Sequence, residues 1–293
     1  MSVKSIQSFW GTEACGSHFV AARPGTREFY GQYRAFRYRT EWHIPEWVPF
    51  AEAKGKKVLE IGCGNGADGV LFARAGAEYT GVDLTGTAVE AIRKHFEVEG
   101  LPGTFQIDNA EALSFPDASF DWVYSYGVLH HTDRPEKAFA EVFRVLKPGG
   151  RAYLMLYHKN SFNYYVRIMG YMRLRLLLKI LKGQNGGVAP ENVRGNQGKA
   201  VWDIHRQNFL KEGWRYLKAE NFVHHATDGP DCPTAFVFTK AQAKKFFSPF
   251  QSVQCRVYHF PIRKYPAGRW VPRPVEAFLA RHLGWYLCLT LEK

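Results

Sequence analysis

The sequence predicts an α/β fold built on a doubly wound, mostly parallel sheet. A short apolar run, Val58-Leu59-Glu60-Ile61, is followed at once by Gly62, Gly64 and Gly66. A second run, Tyr79-Thr80-Gly81-Val82, ends in Asp83. Between and beyond them, short apolar runs alternate with helical patterns up to residue 158. Such alternation gives a parallel sheet with helices on both faces. A strand, a glycine turn, a helix and a strand ending in a carboxylate also make a nucleoside site. The glycines let the backbone approach the ligand, and the acid grips ribose hydroxyls.

The elements follow in order. Strand 57–62 leads to helix 66–75, and strand 78–83 to helix 86–98. Strands 103–107 and 120–126, helix 134–146 and strand 150–157 complete the alternation. Pro148-Gly149-Gly150 reads as the helix stop and turn before the fifth strand. Residues 159–235 break the pattern. A helix over 166–182 is rich in Leu, Ile and Met and carries Arg167, Arg173, Arg175, Lys179 and Lys182. Residues 183–198, rich in Gly, Asn and Gln, read as a mobile loop, and 201–216 as another helix. The pattern resumes with helix 239–247, N-capped by Thr239, and strand 251–259. A Pro-rich basic link over 261–274, helix 275–283 and an alternating run over 285–291 follow.

The glycine loop does not by itself choose its nucleoside. A dinucleotide site wants a third glycine where this chain has Ala67, a variant such sites permit. Two features favour a different ligand. Glu60, two residues before Gly62, would repel a pyrophosphate but suits a ligand that carries an ammonium group. Asp108-Asn109-Ala110-Glu111 follows the run Thr104-Phe105-Gln106-Ile107, where an Asp or Asn can bond an adenine amino group.

With these residues in order, the chain resembles the class I S-adenosyl-L-methionine (SAM)-dependent methyltransferases, in the small-molecule branch similar to ubiquinone and menaquinone enzymes. The resemblance covers residues 55–158. It is carried by 58–66, by Gly81-Val82-Asp83-Leu84, by 108–111, by 120–131 and by Arg144-Val145-Leu146-Lys147-Pro148-Gly149-Gly150. It implies a Rossmann-like sheet of seven strands, the last antiparallel and placed inside the sheet. It implies SAM as cofactor, S-adenosyl-L-homocysteine as product, and an in-line displacement at an acceptor atom, oxygen favoured over N, S or C. It implies cofactor contacts from Tyr33, Glu60, Gly62, Cys63, Gly64, Gly66, Asp83, Leu84, Asp108, Asn109, Ala110 and Ser125. Cys63 is there because it is small enough to fit, and Asp68 reads as a helix-face residue. The segments are then an aromatic lid (1–54), the SAM-binding core (55–158), a helical substrate cap (159–235) and the rest of the core (236–293). In the lid, Tyr30, Tyr33 and Arg37 to Arg39 could reach the methionine carboxylate; packing of the lid is the competing reading.

Catalysis needs a nucleophile aligned with the methyl carbon and, for a hydroxyl, a base. His130 and His131, after the fourth strand, suit that role at neutral pH; cofactor-side or capping roles compete with it. Tyr30, Tyr157, His158 and His225 are the substrate-binding candidates. No His, Cys or Asp spacing completes a metal site. The chain lacks the Asn/Asp-Pro-Pro-aromatic motif of base-amine methyltransferases and a Pro-Cys nucleophile.

Composition sets the remaining limits. The chain has 293 residues, 46% hydrophobic, with 8 Trp, 15 Tyr and 22 Phe, enough for a large core. No run of about 18 apolar residues predicts a spanning helix. A start without an apolar signal core and five scattered cysteines are the expectation for a cytoplasmic protein with reduced thiols. The +12 charge raises an RNA or tRNA methyltransferase as an alternative, but no appended RNA-binding module is visible, so a small-molecule substrate, anionic or aromatic, is expected instead of nucleic acid. A protein that binds SAM without transferring a methyl is another alternative, and an NAD oxidoreductase a further one. The basic helix over 166–182 either caps the site, its Leu-rich side packed inward, or lies on a membrane surface as a peripheral contact.

Overall fold

The computed structural model describes residues 3–12, 17–182, 199–264 and 268–293. Its chain divides into two compact units. The larger holds residues 10–156, 241–256 and 288–293; the smaller holds 1–9, 157–240 and 257–287. The strands are β1 (Lys57–Ile61), β2 (Glu78–Asp83), β3 (Thr104–Ile107), β4 (Phe120–Tyr126), β5 (Leu146–His158), β6 (Val237–Phe238), β7 (Ser252–Tyr258) and β8 (Tyr286–Glu292). The α-helices are α1 (Val3–Trp10), α2 (Arg27–Thr40), α3 (Ile44–Trp47), α4 (Ala67–Arg74), α5 (Gly86–Glu99), α6 (Pro135–Val145), α7 (Arg173–Leu181), α8 (Lys199–Glu212), α9 (Ala219–Thr227), α10 (Lys240–Phe246) and α11 (Arg273–Leu283).

In the larger unit the strand order is β3-β2-β1-β4-β5-β8-β7. The first five are parallel, with Val58 opposite both Tyr79 and Trp122, Thr80 opposite Thr104, and Val123 opposite Ala152. The start of β5 bonds to the end of β8 (Gly149 N–H to the Lys293 carbonyl), and the end of β5 bonds to the residue before β8 (His158 N–H to the Trp285 carbonyl). β8 is therefore antiparallel and lies between β5 and β7, as the family resemblance implied. Val58, Leu59, Val123, Leu154 and Leu289 are fully buried, the mark of strands covered on both faces. β6 is an eighth strand that the sequence did not announce. Its two residues pair with Tyr157 and His158 in the smaller unit.

The predicted turn at 148–150 is instead a bulge within β5. Register jumps from Phe120↔Leu146 to Trp122↔Arg151, so β5 spends three more residues than β4. Gly150 is required there, because a Cβ would lie 2.8 Å from the Lys147 carbonyl oxygen.

In the smaller unit the predicted helix over 166–182 has two parts, a π-helix (Asn163–Met172) and α7. Tyr164, Ile168, Met172 and Leu176 are buried. Leu174, Leu178 and Leu181 are exposed, so the leucines do not form one inward side as expected. The predicted loop at 183–198 lies outside the described residues. α8 ends in a 3-10 turn, Gly213–Leu217, before α9, which was not expected. No helix among the described residues is long and apolar enough to cross a membrane.

Candidate active site

Between β1 and α4 the chain is left-handed three times, at Gly62 (φ +79°), Gly64 (+50°) and Gly66 (+74°). The reasons differ. A Cβ on Gly62 would meet Val128 Cγ2 at 2.1 Å, and one on Gly66 would meet Ile92 Cγ1 at 2.5 Å. A Cβ on Gly64 would meet nothing within 4 Å. Gly62 and Gly66 therefore serve packing, whereas Gly64 faces open space that a ligand can fill.

Asp83 stands beside that space at the end of β2. Its Oδ2 accepts the Gly64 N–H at 3.3 Å, and its Oδ1 accepts the N–H and hydroxyl of Thr85, each at 3.0 Å. Thr85 caps α5 by accepting from the Ala88 N–H. Oδ1 already has two donors and Oδ2 has one, so the acid is fixed in place with capacity left on Oδ2 for a ribose hydroxyl. Burial pushes its pKa up, against the bonds from Thr85 and Gly64. Half-buried Leu84 lies between Asp83 and the cap. Cys63 is buried, and burial with nearby Asp83 and Glu60 pushes its thiol well above the usual range, which leaves it protonated and unreactive.

The β3 end joins this edge through the Asp108 N–H, which donates to the Asp83 carbonyl at 3.0 Å. Asp108 Oδ2 accepts from Gln106 Nε2 and from the Ser114 N–H and hydroxyl, while Oδ1 accepts the Asn109 N–H. Asn109 Oδ1 accepts the Glu111 N–H. Both side chains thus shape the loop that holds buried Ala110. At the β4 end, the Ser125 hydroxyl donates to the Ile61 carbonyl at 2.9 Å and ties β4 to β1. The open cradle at Gly64 and the anchored carboxylate of Asp83 fit a nucleoside.

Glu60 is buried and accepts from the Tyr79 hydroxyl. Burial, followed by the charge of Asp68, pushes its carboxyl well above the usual range. Asp68 is not the helix-face residue expected. It is 2% exposed at the start of α4 and is bound by Arg37 Nε and Nη2 and by the hydroxyls of Tyr38 and Tyr124. Arg37 also pairs with Glu41 at 3.0 Å and lies over the Tyr126 ring, 4.9 Å from its centroid. The Tyr126 hydroxyl is 3.0 Å from Nε2 of fully buried His43. Sequence reasoning missed Asp68, His43 and Tyr126. The available signal was the density of Tyr and Arg over 33–39, which puts cations and hydroxyls on successive turns of α2.

Other candidates from α2 are packed. Tyr30 is buried, stacks on His95 at 4.0 Å, and donates its hydroxyl to the Ala91 carbonyl. Tyr33 is buried with its ring parallel to Phe29. His130 and His131 occupy a short 3-10 turn and are buried, with ring centroids 4.4 Å apart. Burial, helped by His131, pushes His130 well below its ordinary pKa, so it is neutral. His131 meets Trp10 edge-on at 5.2 Å.

His95 pins the glycine loop. Its Nδ1 is 2.7 Å from the Asn65 carbonyl oxygen and its Nε2 is 2.7 Å from Arg34 Nη1, itself on Glu99. Nδ1 must donate and Nε2 accept, which is the neutral ring. Burial lowers its pKa from 6.5 to about 4. A lowered folded value means that the unfolded chain binds more protons, so stability is full above pH 6.5 and is lost as pH falls towards 4. For this fully buried ring the loss is about 3 kcal/mol. His95→Asn, which keeps a donor for Asn65, should flatten urea stability between pH 7 and 4.5; an unchanged slope would refute the assignment.

In the smaller unit, Tyr157 donates to the Asp228 carboxylate (3.0 Å to Oδ1) and stacks on Trp285 at 4.4 Å. Burial and Asp228 push its hydroxyl well above the usual range. His158 bonds through Nδ1 to the Gly284 carbonyl at 3.1 Å, and His225 through Nδ1 to that of Pro230 at 2.7 Å. Burial lowers both imidazoles.

Residues 59–154 match the family model described as a methyltransferase domain. The chain is 34% identical over 117 residues to a ubiquinone biosynthesis O-methyltransferase of Azoarcus sp. (strain BH72), covering 40% of this chain and 50% of the relative. It is 39% identical over 102 residues to a fatty-acid O-methyltransferase of Mycolicibacterium smegmatis, covering 34% and 36%. It is 35% identical over 147 residues to the S-adenosyl-L-methionine-dependent Diels-Alderase iccD of Talaromyces variabilis, covering 49% and 48%. The chain thus spans about half or less of the length of these relatives.

Proposed function

We propose that this chain, whose residues 59–154 are a methyltransferase domain of the class I SAM-dependent kind, methylates a small-molecule acceptor, with oxygen as the favoured atom. The observation that carries the reading is the open cradle at Gly64 beside the fixed Asp83 carboxylate. SAM supplies a methyl group on a cationic sulfur and leaves as a neutral thioether.

The chain's part is to hold, orient and accept a proton. Gly64 admits the nucleoside backbone-close, Asp83 takes a ribose hydroxyl, and Leu84 and Ala110 flank the base. Tyr33 and Arg37, on the face of α2 that meets α4, serve the methionine end. An acceptor hydroxyl must give up its proton. His131 and the Tyr126–His43 pair are the groups at the β4 end able to take it. Oxygen as the acceptor atom draws on the Azoarcus and Mycolicibacterium relatives being O-methyltransferases.

Titration calorimetry with SAM tests the site. Asp83→Ala removes charged acceptors worth about 2 kcal/mol, a roughly thirty-fold weaker Kd; unchanged affinity would sink the site. Release of S-adenosyl-L-homocysteine in the presence of hydroxylated aromatic or fatty acceptors tests transfer. His131→Ala and Tyr126→Phe should lower kcat while SAM affinity holds, and if neither does, proton acceptance here fails. The Talaromyces relative, a SAM-dependent Diels-Alderase, favours one second reading, SAM bound without methyl transfer. Tight SAM binding with no thioether product across the acceptor panel would support that reading instead.

A further inference from the structure

The smaller unit exposes an unusual amount of apolar surface. Of the sixteen large apolar side chains that stand exposed among the described residues, twelve lie in it. Six of those twelve lie on one helix. The π-helix and α7 together bury Tyr164, Ile168, Met172 and Leu176, and present Tyr165, Val166, Tyr171, Leu174, Leu178 and Leu181 to solvent, Leu181 at 81%. The exposed face adds Arg175 and Lys182.

No acidic residue occurs anywhere in 163–182, against five Arg and Lys. The inward-leaning cations are held within the unit: Arg173 by the Leu217 carbonyl and Lys179 by Asp203 at 3.0 Å. Arg175 is exposed, stacks over the Trp202 ring at 4.4 Å and has no carboxylate partner among the described residues. A soluble helix with one buried apolar stripe normally turns a charged face outward. This one turns outward leucines and tyrosines mixed with cations only.

We propose that this face, Tyr165 to Lys182, docks the protein on an anionic lipid bilayer, with the helix lying in the plane of the interface. Leucines at 174, 178 and 181 enter the acyl boundary, tyrosines 165 and 171 sit at headgroup depth, and Arg175 and Lys182 meet lipid phosphates. Charge complementarity selects the bilayer over a second copy of this chain, because two copies would bring like charges together across a two-fold. The inference is independent of the cofactor reading.

Flotation with extruded vesicles tests it on the full chain. Binding is expected to phosphatidylcholine vesicles containing 30% phosphatidylglycerol and to be at least ten-fold weaker on pure phosphatidylcholine, since each cation near the surface contributes about five-fold. Leu174→Glu/Leu178→Glu should abolish binding. Arg175→Glu/Lys182→Glu, which leaves the exposed leucines in place, should reduce it more than ten-fold. Circular dichroism should show both variants folded. No binding to the anionic vesicles overturns the proposal. So does a wild-type dimer by light scattering that Leu174→Glu/Leu178→Glu converts to monomer, which would make the face a self-interface.

Discussion

Gly64→Asn should leave the protein folded and unable to hold SAM, whereas Gly66→Asn should cost it several kcal/mol. The same new side chain at both positions isolates space from backbone strain, because Asn tolerates a left-handed φ better than other non-glycine residues. At Gly64 there is no atom for a Cβ to meet within 4 Å. The fold should lose at most about 1 kcal/mol, the residual cost of a non-glycine residue in this region. The side chain then projects into the cradle beside Asp83 and fills the approach that the nucleoside needs. At Gly66 a Cβ lands 2.5 Å from Cγ1 of Ile92, which is stiff at χ1 and fully buried. Overpacking of this kind costs about 1–3 kcal/mol beyond the strain. Calorimetry should find no SAM binding to Gly64→Asn at a melting temperature within a few degrees of the parent. Gly66→Asn should melt far lower. Equal melting temperatures for the two, or retained SAM affinity in Gly64→Asn, would contradict the division of labour among these glycines.

The second large effect is expected at Asp68. Its carboxylate, 2% exposed, is the acceptor for Arg37, Tyr38 and Tyr124 together. Removing one partner of a buried pair leaves a desolvated charge, at a cost of about 3–5 kcal/mol. Here Arg37 would keep only Glu41, and two tyrosine hydroxyls would lose an acceptor. Asp68→Ala should therefore lose about 4 kcal/mol in urea unfolding. Arg37→Met in the same background should return part of the loss, since the uncompensated guanidinium is then gone. The pair also fastens α2 to α4, so the single variant should expose 27–40 to protease before the rest of the larger unit. A loss under 1 kcal/mol, or none returned by the second substitution, would mean that the pair is not what anchors α2.

The sheet was legible because its signals are local. Apolar runs ending at Gly62 and at Asp83, and the alternation to residue 158, report strand, turn and helix from neighbours in sequence. The last strand's place inside the sheet came from the family resemblance and is borne out by the Gly149–Lys293 and Gln251–Glu292 bonds. What stayed hidden depends on distant partners. Asp68 reads as a helix-face acid until α2 is laid against it, and nothing in the sequence between them signals that Arg37 will do so. His43 and Tyr126 are 83 residues apart and meet only through the fold. β6 has two residues, too few to carry a period. The 148–150 bulge has the composition of a turn, and only its pairing shows a strand.

The leucines of α7 were expected inward as the Leu-rich side of one regular helix over 166–182, which repeats every ~3.6 residues. The residues that point inward are spaced by four, Tyr164, Ile168, Met172 and Leu176. The π-helix over Asn163–Met172 explains the mismatch: at ~4.4 residues per turn, ten residues fall about half a turn behind an α-helix. That stretch acts as a phase shifter for everything after it. Losing one residue from it, Gly170 for instance, would turn α7 by about 100° without altering its composition. Its leucines would swing toward the protein, and the chain would trade one surface chemistry for another. In this segment a single insertion or deletion has more leverage over what the outside of the protein offers than most substitutions do.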